Sequence, residues 1–295
     1  MQYSIELAGV NILADVPFLL HSSEPTTEFV HPAVTESTSL RMEFHPVKKL
    51  PEPSDVRCKK SSRAYVGEGK SAGTFFFRYP GESAYAFVAR DQEENGFLLC
   101  EYLPEYESFM NYAKDLIYLM DIEATLLHFG GLILHASLIR KTDDAGIVFS
   151  APSGTGKSTQ ADLWAEHEGA DVLNGDRAAL RKIDGEWRAF GLPYAGTSGI
   201  YRNESAPLKA LVALRQAPEN RIRKLSVSEA FRYLYPETLI HRWDPDFESR
   251  ATALLLEVMS EVPVYLLECR PDKDAVELLK TTLENSQKGT EEGIY

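Results

Sequence analysis

Nine consecutive residues, Ala151-Pro-Ser-Gly-Thr-Gly-Lys-Ser-Thr159, carry the strongest chemical signal in the chain. They match the second half of the phosphate-cradling pattern GxxxxGK[ST], with alanine where the first glycine usually stands. Gly154 and Gly156 can reach backbone angles that L-residues avoid, so successive N–H groups can turn toward one phosphate. A helix beginning at Lys157 would add its positive end. Lys157 would bring a mobile ammonium to the β and γ oxygens of a nucleoside triphosphate, and the Ser158 hydroxyl would ligate Mg²⁺. The expected nucleotide-binding set is therefore Ser153, Gly154, Thr155, Gly156, Lys157, Ser158 and Thr159, with ATP and Mg²⁺ as the expected ligands.

A second signal is Asp171-Val-Leu-Asn-Gly-Asp176-Arg177. A carboxylate at the end of the next apolar strand stands where Mg²⁺ and its waters need one. Asp176 is thus the expected second metal ligand and a candidate catalytic acid or base. His135 lies in an apolar run and reads either as a hydrogen-bonded core histidine or as a group that orients Asp176. Arg177 reads as a transition-state charge stabiliser, an acceptor contact or a surface arginine. The third signal is Gly191-Leu-Pro-Tyr-Ala-Gly-Thr-Ser-Gly-Ile-Tyr-Arg-Asn203, a long connection carrying hydroxyls and a cation between two strands. Thr197, Ser198 and Arg202 are its candidates for binding an acceptor or the γ-phosphate, against the alternative of an irregular connection.

The elements that must position these residues follow from periodicity. Leu132–Ile139 and Gly146–Ser150 are apolar runs joined by Lys141-Thr-Asp-Asp-Ala. A connection that short joins only antiparallel strands, since a parallel pair needs a crossover of about a dozen residues. Ser158–Glu168 reads as a helix stopped by Gly169, Asp171–Gly175 as a strand, and Ala178–Ile183 with Glu186–Phe190 as a hairpin. Leu208–Leu214 and Val264–Glu268 read as strands, and Phe247–Val262 and Asp272–Glu284 as helices. Ser226-x-x-Glu229 is a capping box opening a short helix.

Residues 1–104 show short apolar or alternating runs at Tyr3–Leu7, Leu40–Phe44, Thr74–Tyr79, Ala84–Ala89 and Gly96–Tyr102, a small, mostly β region. Ser22–Ser39 and Val47–Ser62 read as loops. Helical spacing from Tyr106 to Phe129 predicts one long helix linking the two parts, so the expected division is 1–104, a linking helix at 105–130, a nucleotide-binding domain at 131–285 and a disordered tail at 286–295.

His135-Ala-Ser, the strand–turn–strand, Ser153-Gly-Thr-Gly-Lys-Ser and Gly175-Asp176-Arg177 resemble the C-terminal catalytic domain of bacterial HPr kinase/phosphorylase and its stand-alone homologues, whose fold is shared with phosphoenolpyruvate carboxykinase. The resemblance covers about Leu126 to Ile240, with an extension toward Leu279, and is absent from 1–104. It implies an α/β fold, a P-loop kinase domain of HPr kinase/PEP carboxykinase type with a mixed sheet and flanking helices, preceded by the mostly β region. It also implies phosphoryl transfer from ATP to a hydroxyl, with His135, Lys157, Asp176 and Arg177 as catalytic residues. The acceptor would be a Ser or Thr of a peptide or small protein, or a small hydroxyl metabolite such as free serine or a sugar; the alternative is a nucleotide-binding regulator with little catalysis. Gly175 departs from the family's Asp-Asp-Arg: one of two carboxylates is missing.

With a net charge of −13, the chain is ill suited to bulk attraction to nucleic acid or anionic lipid. Three scattered cysteines and an N-terminus without a signal-peptide pattern point to the cytoplasm, and self-association is left open. Phe75-Phe-Phe is read as strand core, Asp143-Asp144 as a solvated turn, and His241 as lacking a partner at metal spacing.

Overall fold

The computed structural model describes residues 1–22, 24–33, 38–60, 62–67, 73–79, 81–91 and 97–291. The chain divides into two compact units, Met1–Thr125 with His241–Pro245, and Leu126–Ile240 with Asp246–Tyr295. Both are built on mixed sheets, and among the described residues no helix is long and apolar enough to cross a membrane.

The first unit holds β1 (Gln2–Leu7), β2 (Val10–Asp15), β3 (Val30–Pro32), β4 (Leu40–Pro46), β5 (Val56–Lys60), β6 (Arg63–Val66), β7 (Gly73–Phe77), β8 (Ala84–Asp91) and β9 (Phe97–Tyr102). They form one sheet in the order β3-β1-β2-β4-β9-β8-β7-β6-β5, with β4 parallel to both its neighbours. Ile5, Leu7, Val10, Ile12, Leu40 and Met42 alternate into its core, as a half-buried sheet requires. Phe75 and Phe76 are buried strand core, as read. The loop readings need correction, because β3 lies within Ser22–Ser39 and β5 within Val47–Ser62. Each is an edge strand with no fully buried residue, so neither shows the apolar alternation that periodicity detects. Ser23, 34–37 and Ser61 of those loop readings, and Gly96 of a strand reading, lie outside the described residues.

The single linking helix is also corrected. A 3₁₀ turn at Pro104–Phe109, α1 (Ala113–Leu119) and α2 (Ile122–His128) replace it. Tyr112 is extended at φ −104° and ψ 143°, and Asp121 is left-handed at φ +48°, angles incompatible with a helix interior. The helical spacing survives the breaks because each piece turns its own apolar residues inward, Leu116 and Ile117 from one and Leu126 from the next.

The second unit begins with β10 (Gly131–Arg140) and β11 (Gly146–Ser150), antiparallel as the short turn demands. Then follow α3 (Lys157–Glu168), β12 (Asp171–Asn174), β13 (Arg177–Ile183), β14 (Glu186–Gly191), β15 (Ser205–Gln216), β16 (Arg221–Lys224), α4 (Val227–Leu234), α5 (Pro245–Glu261), β17 (Val264–Cys269) and α6 (Lys273–Glu291). The capping box at Ser226 and Glu229 is present. Helix α6 reaches Glu291, so 286–291 is helical where a disordered tail was expected; 292–295 lie outside the described residues.

Two strands change partners along their length. β10 pairs with β13 through 131–135 and with β11 through 136–140, while β15 pairs with β14 at its start and with β11 and β17 further on. The alternation of β11, β15 and β17 feeds two cores. Val148, Leu211 and Leu266 pack with α4 and α5, whereas Phe149, Val212 and Leu267 pack with Trp164 of α3 and Leu279 of α6. Strands buried on both faces hold their ends rigidly, and the candidate site lies at such ends.

Candidate functional site

The glycine loop leaves the buried end of β11 and enters α3. Gly154 has φ +79° and Gly156, the N-cap of α3, has φ +112°, both in the region that glycine adopts at little cost. A Cβ at either position would meet nothing within 4 Å, so these glycines are required by backbone angle rather than by space. Lys157 is buried, and its Nζ donates to the carbonyls of Ala151 at 2.9 Å and Pro152 at 3.5 Å. Burial lowers the Lys157 pKa, and the carboxylates of Glu237 and Asp176 act against that shift. Ser158 Oγ donates to the Gly175 carbonyl at 3.4 Å, which sets α3 against the end of β12.

The partner switch of β10 places His135. It is the last residue paired with β13, opposite Arg177, and the next residue opens the pairing with β11. The Ala136 N–H donates to the Asp176 carbonyl at 2.9 Å. Asn174, fully buried, shapes the turn: its Oδ1 accepts from the Asp176 and Arg177 N–H groups at 2.8 and 2.9 Å, and its Nδ2 donates to the Leu192 carbonyl at 2.7 Å. Asp176 is thereby presented with 30% of its side chain exposed, His135 Nε2 3.9 Å from its Oδ1 and Arg177 Nε 3.6 Å from its Oδ2. The Arg177 guanidinium lies over the Tyr194 ring at 4.2 Å from the centroid.

The 191–203 connection folds against this turn. A Cβ on Gly196 would stand 2.7 Å from Asp176 Cβ, and one on Gly175 would stand 2.0 Å from Ser198 Oγ. Ser198 therefore fills the space that a side chain at 175 would enter; its hydroxyl donates to the Ala195 carbonyl at 2.8 Å. Thr197 is exposed, and Arg202 turns to Glu204 at 3.6 Å. The structure thus gathers His135, Lys157, Ser158, Asp176, Arg177 and Ser198 at one end of the sheet, and directs Arg202 to a carboxylate of its own strand region.

Sequence reasoning missed two features. Glu237 accepts from His135 Nδ1 at 2.9 Å, a partnership across 102 positions with no local signature. Beside the glycine loop is an open cavity of about 450 Å³, lined by Thr155, Gly156, Thr159, Gln216, Cys269 and Arg270. Gln216 Nε2 donates to the carbonyls of Gly154 and Thr155, both at 3.3 Å, and ties the end of β15 to the loop. Burial pushes the Cys269 thiol up to about 11.

In the first unit, His241 does have partners: its ligand atoms and those of Asp121 and Glu123 lie within 4.8 Å of one another. Arg63 adds positive charge to this group. Burial opposes its ionisation, but Asp121 and the Tyr65 hydroxyl raise its pKa.

No family model and no curated protein matches the chain. Among solved structures it is similar to the Hpr(Ser) kinase/phosphatase from Coxiella burnetii, at 13% identity and a TM-score of 0.30, over 55% of this chain and 93% of that one.

Proposed function

We propose that this chain is an ATP- and Mg²⁺-dependent kinase that transfers the γ-phosphoryl group to a hydroxyl, a Ser or Thr side chain of a peptide or small protein. The observation that carries the reading is the convergence on one open loop of two left-handed glycines, the Lys157 ammonium and the Asp176 carboxylate. The residues fit a nucleotide bound with Mg²⁺. Ser158 and Asp176 offer hard oxygen donors, and the neighbouring cavity has room for a base and ribose. Mg²⁺, held by the Ser158 hydroxyl and the Asp176 carboxylate, would neutralise the β and γ oxygens. Lys157 would share that charge, the loop amides would orient the phosphates, and Arg177 would face the transferring group. His135 and Asp176 would hold the acceptor hydroxyl in line. The first unit would hold the acceptor or mediate self-association, in the cytoplasm.

Incubation with labelled ATP and cell extract, comparing wild type with Lys157→Ala and Asp176→Asn, tests this. Label should reach a peptide or protein with wild type alone; transfer that persists in Lys157→Ala would refute it. ADP release with free serine but not with peptides would move the acceptor to a small metabolite.

One observation favours a second reading, a nucleotide-binding regulator with little catalysis. Gly175 lacks the second carboxylate, and Ser198 occupies its place. Tight ATP binding with negligible turnover on every acceptor would select it.

A further inference from the structure

We infer that the work of the missing second carboxylate passes to a Glu237–His135 pair, in which Glu237 is the positioning residue that decides which nitrogen of His135 faces the acceptor. This inference rests on the kinase reading above. A carboxylate cannot return at position 175 without displacing Ser198, whose Oγ stands 2.0 Å from where a Cβ would begin. The site still contains a second acid, brought from elsewhere in the chain. Glu237 Oε2 is 2.9 Å from His135 Nδ1, and the Glu237 side chain is only 12% exposed.

An ionised carboxylate only accepts hydrogen bonds, so Nδ1 must carry the proton in this contact. In the neutral imidazole Nε2 then keeps its lone pair. Nε2 is 3.9 Å from Asp176 Oδ1, beyond hydrogen-bond distance, so no hydrogen bond to Asp176 fixes it.

The main chain strengthens the hold. The His135 N–H donates to the Glu237 carbonyl at 2.8 Å, and the Leu239 N–H donates to the Ile133 carbonyl at 2.9 Å. Thr238 bridges to Leu134 and ties its own hydroxyl to the Leu234 carbonyl at 2.8 Å. Residues 237–239 thus lie along β10 through a single antiparallel bridge, so Glu237 grips His135 by backbone and side chain together. A carboxylate fixing an imidazole through Nδ1–H so that Nε2 can act is the logic of acid–histidine pairs in hydrolases.

The labour then divides. Asp176 is left to the metal, and His135 Nε2 takes the proton of the acceptor hydroxyl. As that O–H bond breaks, the hydroxyl oxygen bonds to the γ-phosphorus. The bond from phosphorus to the β–γ bridging oxygen breaks, and ADP leaves with the electron pair. Glu237 faces the resulting imidazolium.

Nitrogen-15 spectra of the imidazoles at one fixed pH, with His135 assigned by His135→Ala, test the pair directly. Wild type should show protonated Nδ1 and unprotonated Nε2, and Glu237→Ala should lose that preference. In the same variant kcat should fall about 10²-fold while the ATP dissociation constant stays within about twofold. Glu237→Gln, whose amide oxygen still accepts from Nδ1–H, should recover part of the loss, which a merely structural role would not produce. Protonated Nε2 in wild type, or an unchanged tautomer in Glu237→Ala, overturns the inference; the wild-type spectrum decides even if the alanine variant does not fold. Wild-type protein that moves phosphate to no hydroxyl would overturn the kinase reading instead, and the spectrum separates the two failures because it needs no turnover.

Discussion

Each unit of the molecule gathers one histidine and two carboxylates, and the two groups differ in exposure and in the cation beside them. His135, with Asp176 and Glu237, sits at a strand end with 29% of its side chain exposed; its neighbouring cation is Lys157, bonded to carbonyls of its own loop. His241, with Asp121 and Glu123, is 6% exposed, and its cation Arg63 is held between the Phe76 and Tyr118 rings while donating to the Tyr118 carbonyl at 2.8 Å. The same residue types therefore build two different objects. In one, partial exposure leaves the carboxylates and the imidazole open to solvent; in the other, burial and aromatic packing turn the charges on one another.

The comparison breaks first at Lys157. If its ammonium serves a ligand, Lys157→Ala should lower phosphoryl transfer by about 10²- to 10³-fold with little loss of stability, measured by labelled-ATP transfer and urea unfolding in parallel. A fall in stability without a fall in transfer would make this cluster the counterpart of the other.

Acid should separate the two histidines next. Burial lowers the His241 pKa from its ordinary 6.5 to about 4. On acidification the unfolded chain takes up this proton first, so stability is fully present above about pH 6.5 and is lost progressively toward pH 4. The gap is worth at most about 3 kcal/mol. Urea unfolding between pH 7.5 and 4.5 should show that limb, and His241→Gln should flatten it.

Arg63→Met should be smaller, costing roughly 2 kcal/mol by removing the positive charge that acts on Asp121. Thermal unfolding measures it, and ATP affinity of the folded variant should be unchanged. The smallest effect sharpens the departure at Gly175. Gly175→Ala should destabilise by about 1–2 kcal/mol through its clash with Ser198, and Ser198→Gly in the same chain should restore most of the loss.

What could be read without coordinates was what neighbouring residues dictate to one another. The glycine loop is such a case, because left-handed angles at Gly154 and Gly156 and a helix starting at Lys157 are local demands on the backbone. The antiparallel pairing of β10 and β11 is another, since a five-residue turn permits nothing else. Strands β1, β4 and β9 were visible through alternation, whereas β3 and β5 were not, because edge strands with little burial need no apolar period. The breaks at Tyr112 and Asp121 were hidden because apolar spacing continues across them.

Pairings between residues some forty to about a hundred and twenty positions apart were decided by the fold alone. Glu237 reaches His135 because 237–239 adds to the edge of β10, and Asp176 reaches it because β10 changes partners at that residue. Asp121 and Glu123 meet His241 in the same non-local way. Residue types set which chemistry is available to the chain; sheet pairing sets which groups stand close enough to perform it, since hydrogen bonds and charges act over a few ångströms and strand register is a property of the whole sheet.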